Sequence, residues 1–280
     1  MDESITRVVT RPTTVQEYVE WHNARDGLGL IRPAHREHYD LVTSALLERL
    51  PTSPFWQDLG EGLREWHDAY TLKTGYPLLQ DTDCPAVCSK PYDSLLDKVL
   101  RRNALQNGLF PDPPPAGWLG PDNWFEQVHD IIRTTVVVKY IDGVVYLVER
   151  LDDLCGQLGL SCRADLEARE EGYYAAHFCV QLPFRVPSIE WDTEERLVWL
   201  EIQVTTQLQD VIKRLLHHYY ERTRASAWAG SSSWKWDYGS DEFATNYLGH
   251  ILHYVEGMIA DIRDRQQEAD SNEGRVRRVP

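Results

Sequence analysis

The sequence has little positive charge and no long apolar run. Its 280 residues include 44 aspartates and glutamates against 29 lysines and arginines, which gives a formal net charge of −15. A surface of that sign repels nucleic acids and anionic membranes, so any phosphate site has to be a local basic pocket. No segment approaches the ~18 consecutive apolar residues of a membrane-spanning helix. We therefore expect a protein that does not interact with membranes.

The cysteines are few, and their spacing is not typical of disulfides or of a zinc site. Cys84 and Cys88 lie four residues apart, but no second pair of cysteine or histidine ligands accompanies them. The other three are scattered, so the total of five is odd. Residues 1–4 are acidic and lack the apolar stretch of a signal peptide. We expect reduced thiols and a cytoplasmic protein.

The chain has enough apolar residues for a sizeable core, and its predicted elements follow a mixed order. Hydrophobic residues make up 42% of it, with 10 tryptophans and 14 tyrosines, which suffices for one large or two small domains. Helical spacing predominates at first, after a capping box of Thr14 and Glu17. Strand-like segments and a helix that starts at Asp142 then alternate. We predict an α/β (α+β) fold, a mixed sheet with flanking helices.

This order predicts three regions. Residues 1–84 form an N-terminal helical region. Residues 85–225 contain the sheet, with a proline-rich loop over 106–123. Residues 226–280 contain an aromatic loop, an amphipathic helix that begins after Ser240, and a disordered basic tail. The helix has a wide apolar face, which we expect to pack on the core or on a partner.

Glu201 and Gln203 lie two residues apart on one predicted strand, 197–204. Side chains alternate along a strand, so these two point to the same face, away from the apolar neighbours. A carboxylate beside a carboxamide on a rigid element suits a metal-assisted or base-assisted reaction. The same alternation is typical of an ordinary half-buried strand, so both interpretations stay open at this point.

Several cations surround the start of a predicted helix that Asp93 or Ser94 can cap. They are Lys90, Lys98, Arg101 and Arg102. Cations at a helix N-terminus can hold a polyphosphate, because the free backbone N–H groups and the side chains both attract anions. The same charges also fit a solvated helix face.

Four segments stand in a particular order between residues 85 and 225. They read SKPYDSLLDK over 89–98, HDII over 129–132, EGYYAAH over 171–177 and EIQVTT over 201–206. Together they resemble the synthetase domain of the RelA/SpoT alarmone synthetase family, including its small single-domain members. The corresponding family patterns are R-x-K-S-x-x-S-x-x-x-K, D-x-x-G-x-R, G-Y-x-x-x-H and E-I-Q-I-R-T.

The resemblance implies a fold, a reaction and a cofactor. The fold is nucleotidyltransferase-like. The reaction is that of a pyrophosphokinase, a transferase that moves the β,γ-pyrophosphate of ATP to the 3′-hydroxyl of a purine nucleotide such as GDP or GTP. The cofactor is Mg²⁺, which the resemblance assigns to Asp130 and Glu201.

The resemblance also assigns roles to single residues. Lys90, Ser94 and Lys98 match the donor-phosphate motif, and Arg101, Arg102 and Arg133 are further candidates for that site. Tyr173 corresponds to the tyrosine that stacks on the acceptor base, and His177 to the histidine near the acceptor phosphates. Glu201 serves the acceptor hydroxyl beside Gln203. His217 and Tyr220 resemble the family's H-x-x-x-Y element with a spacing one residue shorter.

Four positions depart from the family patterns. Cys88, Thr135 and Thr205 stand where the family has arginine, and Arg133 stands where it has glycine. In the family, the first two of these arginines sandwich the donor adenine, so that sandwich is missing as aligned. Arg133 can compensate, because residues i and i+2 on a strand share a face.

Three functions are compatible with these patterns. The first is synthesis of a (p)ppGpp-like or (p)ppApp-like alarmone. The second is a toxin or phage-defence enzyme that pyrophosphorylates the tRNA 3′ end, against which the net charge of −15 counts. The third is a catalytically inactive nucleotide-sensing module. For the C-terminal helix we expect self-association, or binding of an antitoxin or sensor partner.

Overall fold

The computed structural model describes residues 10–25, 29–188, 192–214 and 232–276. Its centre is a five-stranded sheet of order β1-β2-β5-β4-β3. The strands are β1 (Val87–Ser89), β2 (Ile132–Val138), β3 (Cys162–Ala168), β4 (Tyr174–Pro187) and β5 (Thr193–Thr206). Strands and helices alternate along the chain, so the prediction of an α/β fold with a mixed sheet and flanking helices is confirmed.

Eight helices accompany the strands in the described part of the chain. They are α1 (Val15–Asn23), α2 (Ala34–Arg49), α3 (Pro54–Thr74), α4 (Tyr92–Leu100), α5 (Trp124–Gln127), α6 (Asp142–Leu158), α7 over residues 207–214, and α8 (Asp241–Val276). A π-helical turn, Arg101–Leu105, continues α4. In these described residues, no helix combines the length and apolar character that a membrane crossing requires.

Local sequence signals explain several helix ends. The capping box that starts α1 is confirmed: Glu17 N donates to Thr14 Oγ1 at 3.2 Å, and Thr14 N donates to the Glu17 carboxylate at 3.2 Å. Ser53 caps α3, and Gly75 ends it with a φ of 74°, a conformation that glycine adopts without steric cost. Helices α1 and α3 therefore begin where a polar side chain accepts from a backbone N–H group, and α3 ends at a glycine.

Two local predictions before β2 are wrong. Neither Asp93 nor Ser94 caps α4: the residue before the helix is Pro91, and both polar residues lie in the first helical turn. Residues 75–90 read as a loop in the sequence, but 87–89 form β1, which ends the sheet next to β2. A three-residue strand has no recognisable periodicity, so only pairing with its neighbour reveals it.

The chain divides into two compact units. The first comprises Met1–Pro51, Val87–Arg133 and Gln181–Glu201, and the second comprises Thr52–Ala86, Thr134–Val180 and Ile202–Pro280. Each unit is a group of residues that contact one another in space and combines segments distant in the chain. The predicted region boundaries at residues 84 and 225 therefore stay predictions.

The core of the first unit is rich in aromatic rings. Tyr39 of α2 is stacked on Phe125 of α5, with 5.7 Å between ring centroids, and meets Trp124 edge-on. These side chains are almost completely buried, as are Tyr18 of α1 and Leu46 of α2. Buried aromatic rings of this size contribute a large share of the apolar area removed from water. They hold α1, α2, α4 and α5 around the segment that leads into β2.

The second unit contains a hairpin and the long C-terminal helix. Strands β3 and β4 pair antiparallel, with Cys162 opposite Val180 and Ala168 opposite Tyr174. Helices α3 and α6 pack against each other, and each has buried leucines, such as Leu63 of α3 and Leu151 of α6. The sequence predicts one strand over 163–168 and another that runs on from a turn at Gly172, and this hairpin confirms both.

Helix α8 starts where we expected it, but it presents the opposite face to the core. Ser240 Oγ accepts from Phe243 N at 3.1 Å. The buried side chains are polar or small: Thr245, Asn246, Glu256, Ala260 and Arg263. The predicted apolar face is exposed at Tyr247, Leu248, Ile251, Met258, Ile259 and Ile262. The expectation that this face packs on the core is therefore wrong, and packing on a partner remains.

The C-terminal tail is also more regular than expected. The sequence predicts disorder for the last fifteen residues, but α8 continues to Val276. Directly before these residues, an ion pair between Arg265 and Asp261, one turn apart, supports the helix. Residues 266–269 are Gln, Gln, Glu and Ala, which are good helix formers. Of the predicted aromatic loop, residues 226–231 lie outside the described chain, and Ser232–Trp236 form a 3₁₀ turn.

Candidate functional site

In the first unit, two lysines form ion pairs with one carboxylate. Lys90 Nζ donates to Asp130 Oδ2 at 2.8 Å, and Lys98 Nζ donates to Asp130 Oδ1 at 2.6 Å. These residues come from two of the four motif segments, 32 and 40 residues apart in the chain. The fold therefore brings the predicted donor-phosphate lysines onto the predicted metal-binding aspartate. We call these three residues the lysine–aspartate cluster.

The backbone holds Lys90 firmly in this cluster. Lys90 lies directly after β1, and its N–H donates to Ile131 O at 2.7 Å. Its own carbonyl accepts from the buried Tyr39 hydroxyl at 2.8 Å. Lys98 extends from the second turn of α4, and its side chain is 35% exposed, against 9% for that of Lys90. The cluster thus has one fixed, buried cation and one that reaches solvent.

Burial and charge together set the protonation of the cluster. Burial alone would raise the pKa of Asp130, but attraction from Lys98 and Lys90, with their hydrogen bonds, lowers it well below its usual range. Burial lowers the pKa of Lys90, and Asp130 opposes that shift. Asp130 is therefore a carboxylate at any physiological pH.

Arg133 adds a further positive charge. It lies on β2 and is near enough to contribute to the lowered pKa of Lys90. With Lys90 protonated, Lys90, Lys98 and Arg133 together carry about two positive charges more than Asp130 offsets. A part-buried excess of cations is stabilised by a polyanion that enters it. The group is a local concentration of positive charge, as a chain of charge −15 would need for phosphate binding.

The remaining predicted donor residues lie on the same helical segment but have different partners. Ser94 is exposed, one helical turn before Lys98. Arg101 pairs with Asp97 at 3.1 Å, and Arg102 donates to Gln127 Oε1 at 2.7 Å. Because both arginines have partners other than Asp130, they stay weaker candidates for phosphate binding than Lys90 and Lys98.

Glu201 lies in the same unit on β5, which neighbours β2 in the sheet. It is only 7% exposed and has interactions within the protein. Two residues earlier, Trp199 Nε1 donates to Glu126 O at 2.9 Å, and its ring meets His129 edge-on at 4.9 Å. Trp199 therefore ties the strand of Glu201 to the segment that carries Asp130.

The two carboxylates have the right chemistry for Mg²⁺ bound together with a nucleotide. In the described residues, no three histidine, cysteine or carboxylate groups lie close enough to hold a metal ion by themselves. Magnesium bound with nucleotides needs only one or two protein carboxylates, because phosphate oxygens and water complete the shell. Asp130 and Glu201 supply such hard oxygen ligands, so the residues present fit this mode of binding.

Gln203 belongs to the second unit, where it meets a cation from α7. Lys213 Nζ donates to Gln203 Oε1 at 2.8 Å. Thr205, which stands at a family arginine position, is 4% exposed and lies on the same strand face as Gln203. A cation therefore lies at this strand face, although it comes from the helix and not from the strand.

The predicted acceptor residues Tyr173 and His177 touch each other in the second unit. The Tyr173 hydroxyl and His177 Nε2 are 3.1 Å apart, and His177 Nε2 is 3.5 Å from the Glu167 carboxylate. The Arg169 guanidinium lies over the Tyr173 ring at 5.2 Å. The cluster presents an aromatic ring, a histidine and an arginine, which together suit a purine base and phosphate.

Two of the predicted site residues fall outside the described part of the chain. Three residues that support the site belong to no motif and were not predicted. His217 and Tyr220 lie outside the described residues. Sequence reasoning missed Tyr39, Trp199 and Lys213, which act through contacts with other elements. Only Lys213 had a usable signal, since it is a cation in the helix directly after the strand of Gln203.

Comparison with known proteins gives structural likeness only. No family model matches the chain, and no curated protein matches it by sequence. The fold is similar to small alarmone synthetase 1 of Bacillus subtilis, with a TM-score of 0.47 and 18% identity over 79% of this chain and 97% of that one. A GTP pyrophosphokinase family protein of Streptococcus pneumoniae gives 0.46 and 19%, over 79% and 95%.

A further likeness is to the Bacillus subtilis synthetase 1 bound to its product pppGpp. The TM-score is 0.48 and the identity 15%, over 79% of this chain and 96% of that chain. Likenesses at these TM-scores and identities do not assign a function. The function is instead inferred from the residues of the two clusters and from the motif segments that supply them.

Proposed function

We propose that the protein is a pyrophosphokinase of the RelA/SpoT alarmone synthetase type. It transfers the β,γ-pyrophosphate of ATP to the 3′-hydroxyl of a purine nucleotide such as GDP or GTP. The observation that carries the proposal is the lysine–aspartate cluster, in which residues of two separate motif segments meet within 2.8 Å. Neither the motif spacing nor the contacts alone would identify this chemistry.

ATP is bound through an exchange of partners in this cluster. Lys90 and Lys98 each form an ion pair with Asp130. An incoming triphosphate competes for both ammonium groups with more negative charge, and Arg133 adds to the attraction. The lysines then stabilise the charge that builds up on the transferred and leaving phosphates. The carboxylate of Asp130 is released from its ion pairs by the same exchange.

Asp130 and Glu201 are the residues that would hold Mg²⁺. When bound, the ion offsets triphosphate charge and favours attack at phosphorus. Asp130 is suited to this because it is a carboxylate at any physiological pH. Glu201 is suited because its strand neighbours β2 and it is shielded from bulk water. The ion pairs of Asp130 also keep a buried carboxylate compensated when no nucleotide is present.

The transfer needs a proton acceptor and a leaving group. The acceptor's 3′-oxygen attacks the β-phosphorus of ATP, and its proton passes to the Glu201 carboxylate. The bond between the β-phosphorus and the α,β-bridging oxygen breaks, and AMP departs with the bonding electrons. Gln203 and Lys213 lie next along β5 and on α7, where the amide and the ammonium can orient the acceptor.

The acceptor is held by the second cluster. Tyr173 supplies a ring for stacking on a purine, and His177 and Arg169 supply polar groups for its phosphates. Stacking on the ring supplies binding energy for the acceptor base, so Tyr173 acts mainly on the KM of the acceptor.

The experiment is incubation with ATP labelled at the γ-phosphate, Mg²⁺ and parallel acceptors. GDP, GTP, AMP and deacylated tRNA are supplied in separate reactions, and the labelled products are resolved by chromatography. We expect label in GDP or GTP, lost in Asp130→Asn and retained in Lys73→Ala, an exposed lysine on α3. Label in tRNA alone would replace the alarmone reaction with the toxin-type reaction. No transfer to any acceptor would leave a nucleotide-sensing module.

The proposal includes self-association through α8. Its outer face carries seven exposed apolar side chains: Tyr247, Leu248, Ile251, Tyr254, Met258, Ile259 and Ile262. Complete burial would remove roughly 700 Å² per copy from water, close to the ~800 Å² per partner of a stable interface. Such a patch is also large for a monomer.

The spacing of this face suits a second copy of the same chain. Intervals of three and four residues bring Tyr247, Ile251, Tyr254, Met258 and Ile262 onto one stripe. The stripe is nearly symmetric about Tyr254, so an antiparallel pairing sets Tyr247 against Ile262 and Ile251 against Met258. A self-complementary patch of this kind is what a twofold dimer needs.

Sedimentation equilibrium tests the self-association. We expect the wild-type protein at micromolar concentration to show twice the chain mass, and Ile251→Lys to show the chain mass. Leu72→Lys, at a leucine of α3 that is 90% exposed, should behave as wild type. A wild-type monomer would overturn self-association and leave the face to an antitoxin or sensor protein.

We also place the protein in the cytoplasm, where ATP and guanine nucleotides are available. The five cysteines all lie in the described part of the chain and form no disulfide, as a reducing compartment allows.

A further inference from the structure

Tyr173 lies in the turn between β3 and β4, and this turn is tightly built. Gly172 N donates to Arg169 O at 3.0 Å, and Arg169 N donates to Tyr173 O at 3.0 Å. Gly172 has a φ of 75°, in the left-handed region that glycine adopts readily. The backbone therefore fixes the reversal itself, but a hairpin turn has few apolar contacts of its own to restrain its side chains.

Helix α8 packs on this turn with no side chain between the two backbones. A Cβ atom added to Gly172 would lie 2.2 Å from Asn246 O of α8. A Cβ atom added to Gly249 would lie 2.2 Å from Gly172 O. Distances this short are far inside van der Waals contact, so neither position accommodates a larger residue without separating helix and turn. The two glycines are the reason that α8 can approach the turn so closely.

Two histidines of α8 hold the residues on either side of Tyr173. The His253 ring stacks on Tyr174 at 3.6 Å with an interplanar angle of 3°. His250 Nδ1 lies 2.8 Å from the Tyr174 hydroxyl, and its Nε2 lies 2.8 Å from Glu170 O. Because a carbonyl oxygen only accepts, Nε2 carries the proton and Nδ1 accepts from the Tyr174 hydroxyl. His250 therefore bridges both ends of the turn.

We propose that Gly249, His250 and His253, the α8 clamp, are positioning residues for Tyr173 in acceptor binding. This inference rests on the proposed function, in which Tyr173 stacks on the purine of the acceptor. Tyr173 stands between two residues that the clamp holds, so its ring can be oriented before the acceptor arrives. Preorganisation of this kind lowers the ordering cost of binding and does not change the chemical step.

The clamp should therefore affect the acceptor and not ATP. The donor site is built from Lys90, Lys98 and Asp130, none of which belongs to the turn or to α8. Loosening the turn should raise KM for the acceptor nucleotide, whereas KM for ATP should stay the same. A change that merely lowered stability would reduce the active fraction and so affect kcat for both substrates alike.

Two glycine substitutions in one helix provide the test. Gly249→Ala inserts a methyl group between helix and turn, whereas Gly257→Ala adds the same group where nothing lies within 4 Å. We expect Gly249→Ala to raise the acceptor KM by about 10-fold, with kcat and the ATP KM changed less than about twofold. Gly257→Ala should match wild type in all three. An unchanged acceptor KM in Gly249→Ala would overturn the clamp.

Hydrogen exchange separates failure of the clamp from failure of the proposed function. In the absence of substrates, the amides of Arg169 and Gly172 should exchange faster in Gly249→Ala than in Gly257→Ala, because the turn is no longer held. Equal exchange would overturn the clamp even if the enzyme is active. A wild-type protein without transferase activity would instead refute the proposed function. If Gly249→Ala does not fold, His253→Ala removes the stacked ring and is judged by the same measurements.

Discussion

Asp130 is the residue whose surroundings most favour a role in phosphate chemistry. Two ammonium groups within 2.8 Å compensate its burial and keep it ionised. The types of all three residues in the lysine–aspartate cluster could be predicted from the motif segments. Their meeting could not be predicted from spacing, because it depends on β1 pairing and on the Tyr39 hydroxyl. Strand β1 is too short to show a pattern, and Tyr39 comes from a part of the chain with no motif.

Replacement of Lys98 by alanine should weaken the reaction at the donor side. Lys98 is the more exposed of the two lysines, so its loss should leave the fold intact. We expect kcat/KM for ATP to fall about 100-fold, since one cation that stabilises phosphate charge is removed. Steady-state kinetics with varied ATP measures this, with Lys73→Ala as the control for loss of a lysine. A variant with wild-type kcat/KM would remove Lys98 from the site.

Glu256 provides a pH prediction. It lies on the inner face of α8, 5% exposed, and burial raises its pKa above 4.5, although Thr206 and Gln209 oppose the shift. A raised pKa in the folded state means that stability from this group is full below about pH 4.5 and is lost as pH rises through the folded-state pKa. At neutral pH the buried Glu256 carboxylate therefore costs the folded protein stability.

Glu256→Gln should remove that cost. We expect the free energy of unfolding at pH 7 to rise by about 1 kcal/mol and its decline between pH 4.5 and 7 to become shallower. Urea unfolding across this pH range is the measurement, and Glu48→Gln at an exposed position of α2 is the control. A loss of stability at pH 7 would show that the Glu256 carboxylate has a partner that stabilises it.

Among the elements, α8 differs most from its sequence prediction. Its position and start followed from the amphipathic pattern and from Ser240, but its orientation did not. A hydrophobic pattern assigns the apolar face to the interior, whereas here ion pairs and close backbone packing decide which side faces the protein. Arg263 is the main example: it is 5% exposed and donates to Asp142 at 2.7 Å and to the Tyr70 hydroxyl at 3.1 Å.

The Arg263 contacts should anchor α8 to α6 and α3. Arg263→Met should lower the free energy of unfolding by about 2 kcal/mol, because Asp142 loses its partner while remaining partly buried. The Asp142 side chain is 36% exposed, so screening by water limits the loss of stability. The matched variant is Arg265→Met, two residues on, whose pair with Asp261 is exposed and should be worth less than about 0.5 kcal/mol. Equal effects in urea unfolding would contradict the anchoring role.

The prediction of strands and helices succeeded where periodicity was long and failed where it was short. Helices α3 and α6 and strands β2 and β5 have repeated apolar positions, so their existence followed from pattern alone. Strand β1 is too short to show a pattern, and it is the element that presents Lys90. The fold class could thus be read from the sequence, whereas the element that completes the proposed donor site could not.

At the level of the whole chain, the charge of −15 is compatible with the proposed binding of a triphosphate by the lysine–aspartate cluster. An acidic protein can bind a triphosphate if its cations converge locally, as Lys90, Lys98 and Arg133 do. The same charge disfavours a long tRNA track, since binding along a nucleic acid needs many distributed cations. The net charge therefore favours a small nucleotide as the acceptor. This preference follows from the entire surface and not from one motif.

The fate of ATP is the most direct test of pyrophosphate transfer. In a reaction with Mg²⁺ and GDP or GTP, we expect AMP in amounts equal to the 3′-pyrophosphorylated nucleotide, measured by ³¹P NMR and chromatography. Asp130→Asn should abolish both products together. Formation of ADP instead of AMP would contradict pyrophosphate transfer, because it would mean that one phosphoryl group, and not the pyrophosphate, leaves the donor.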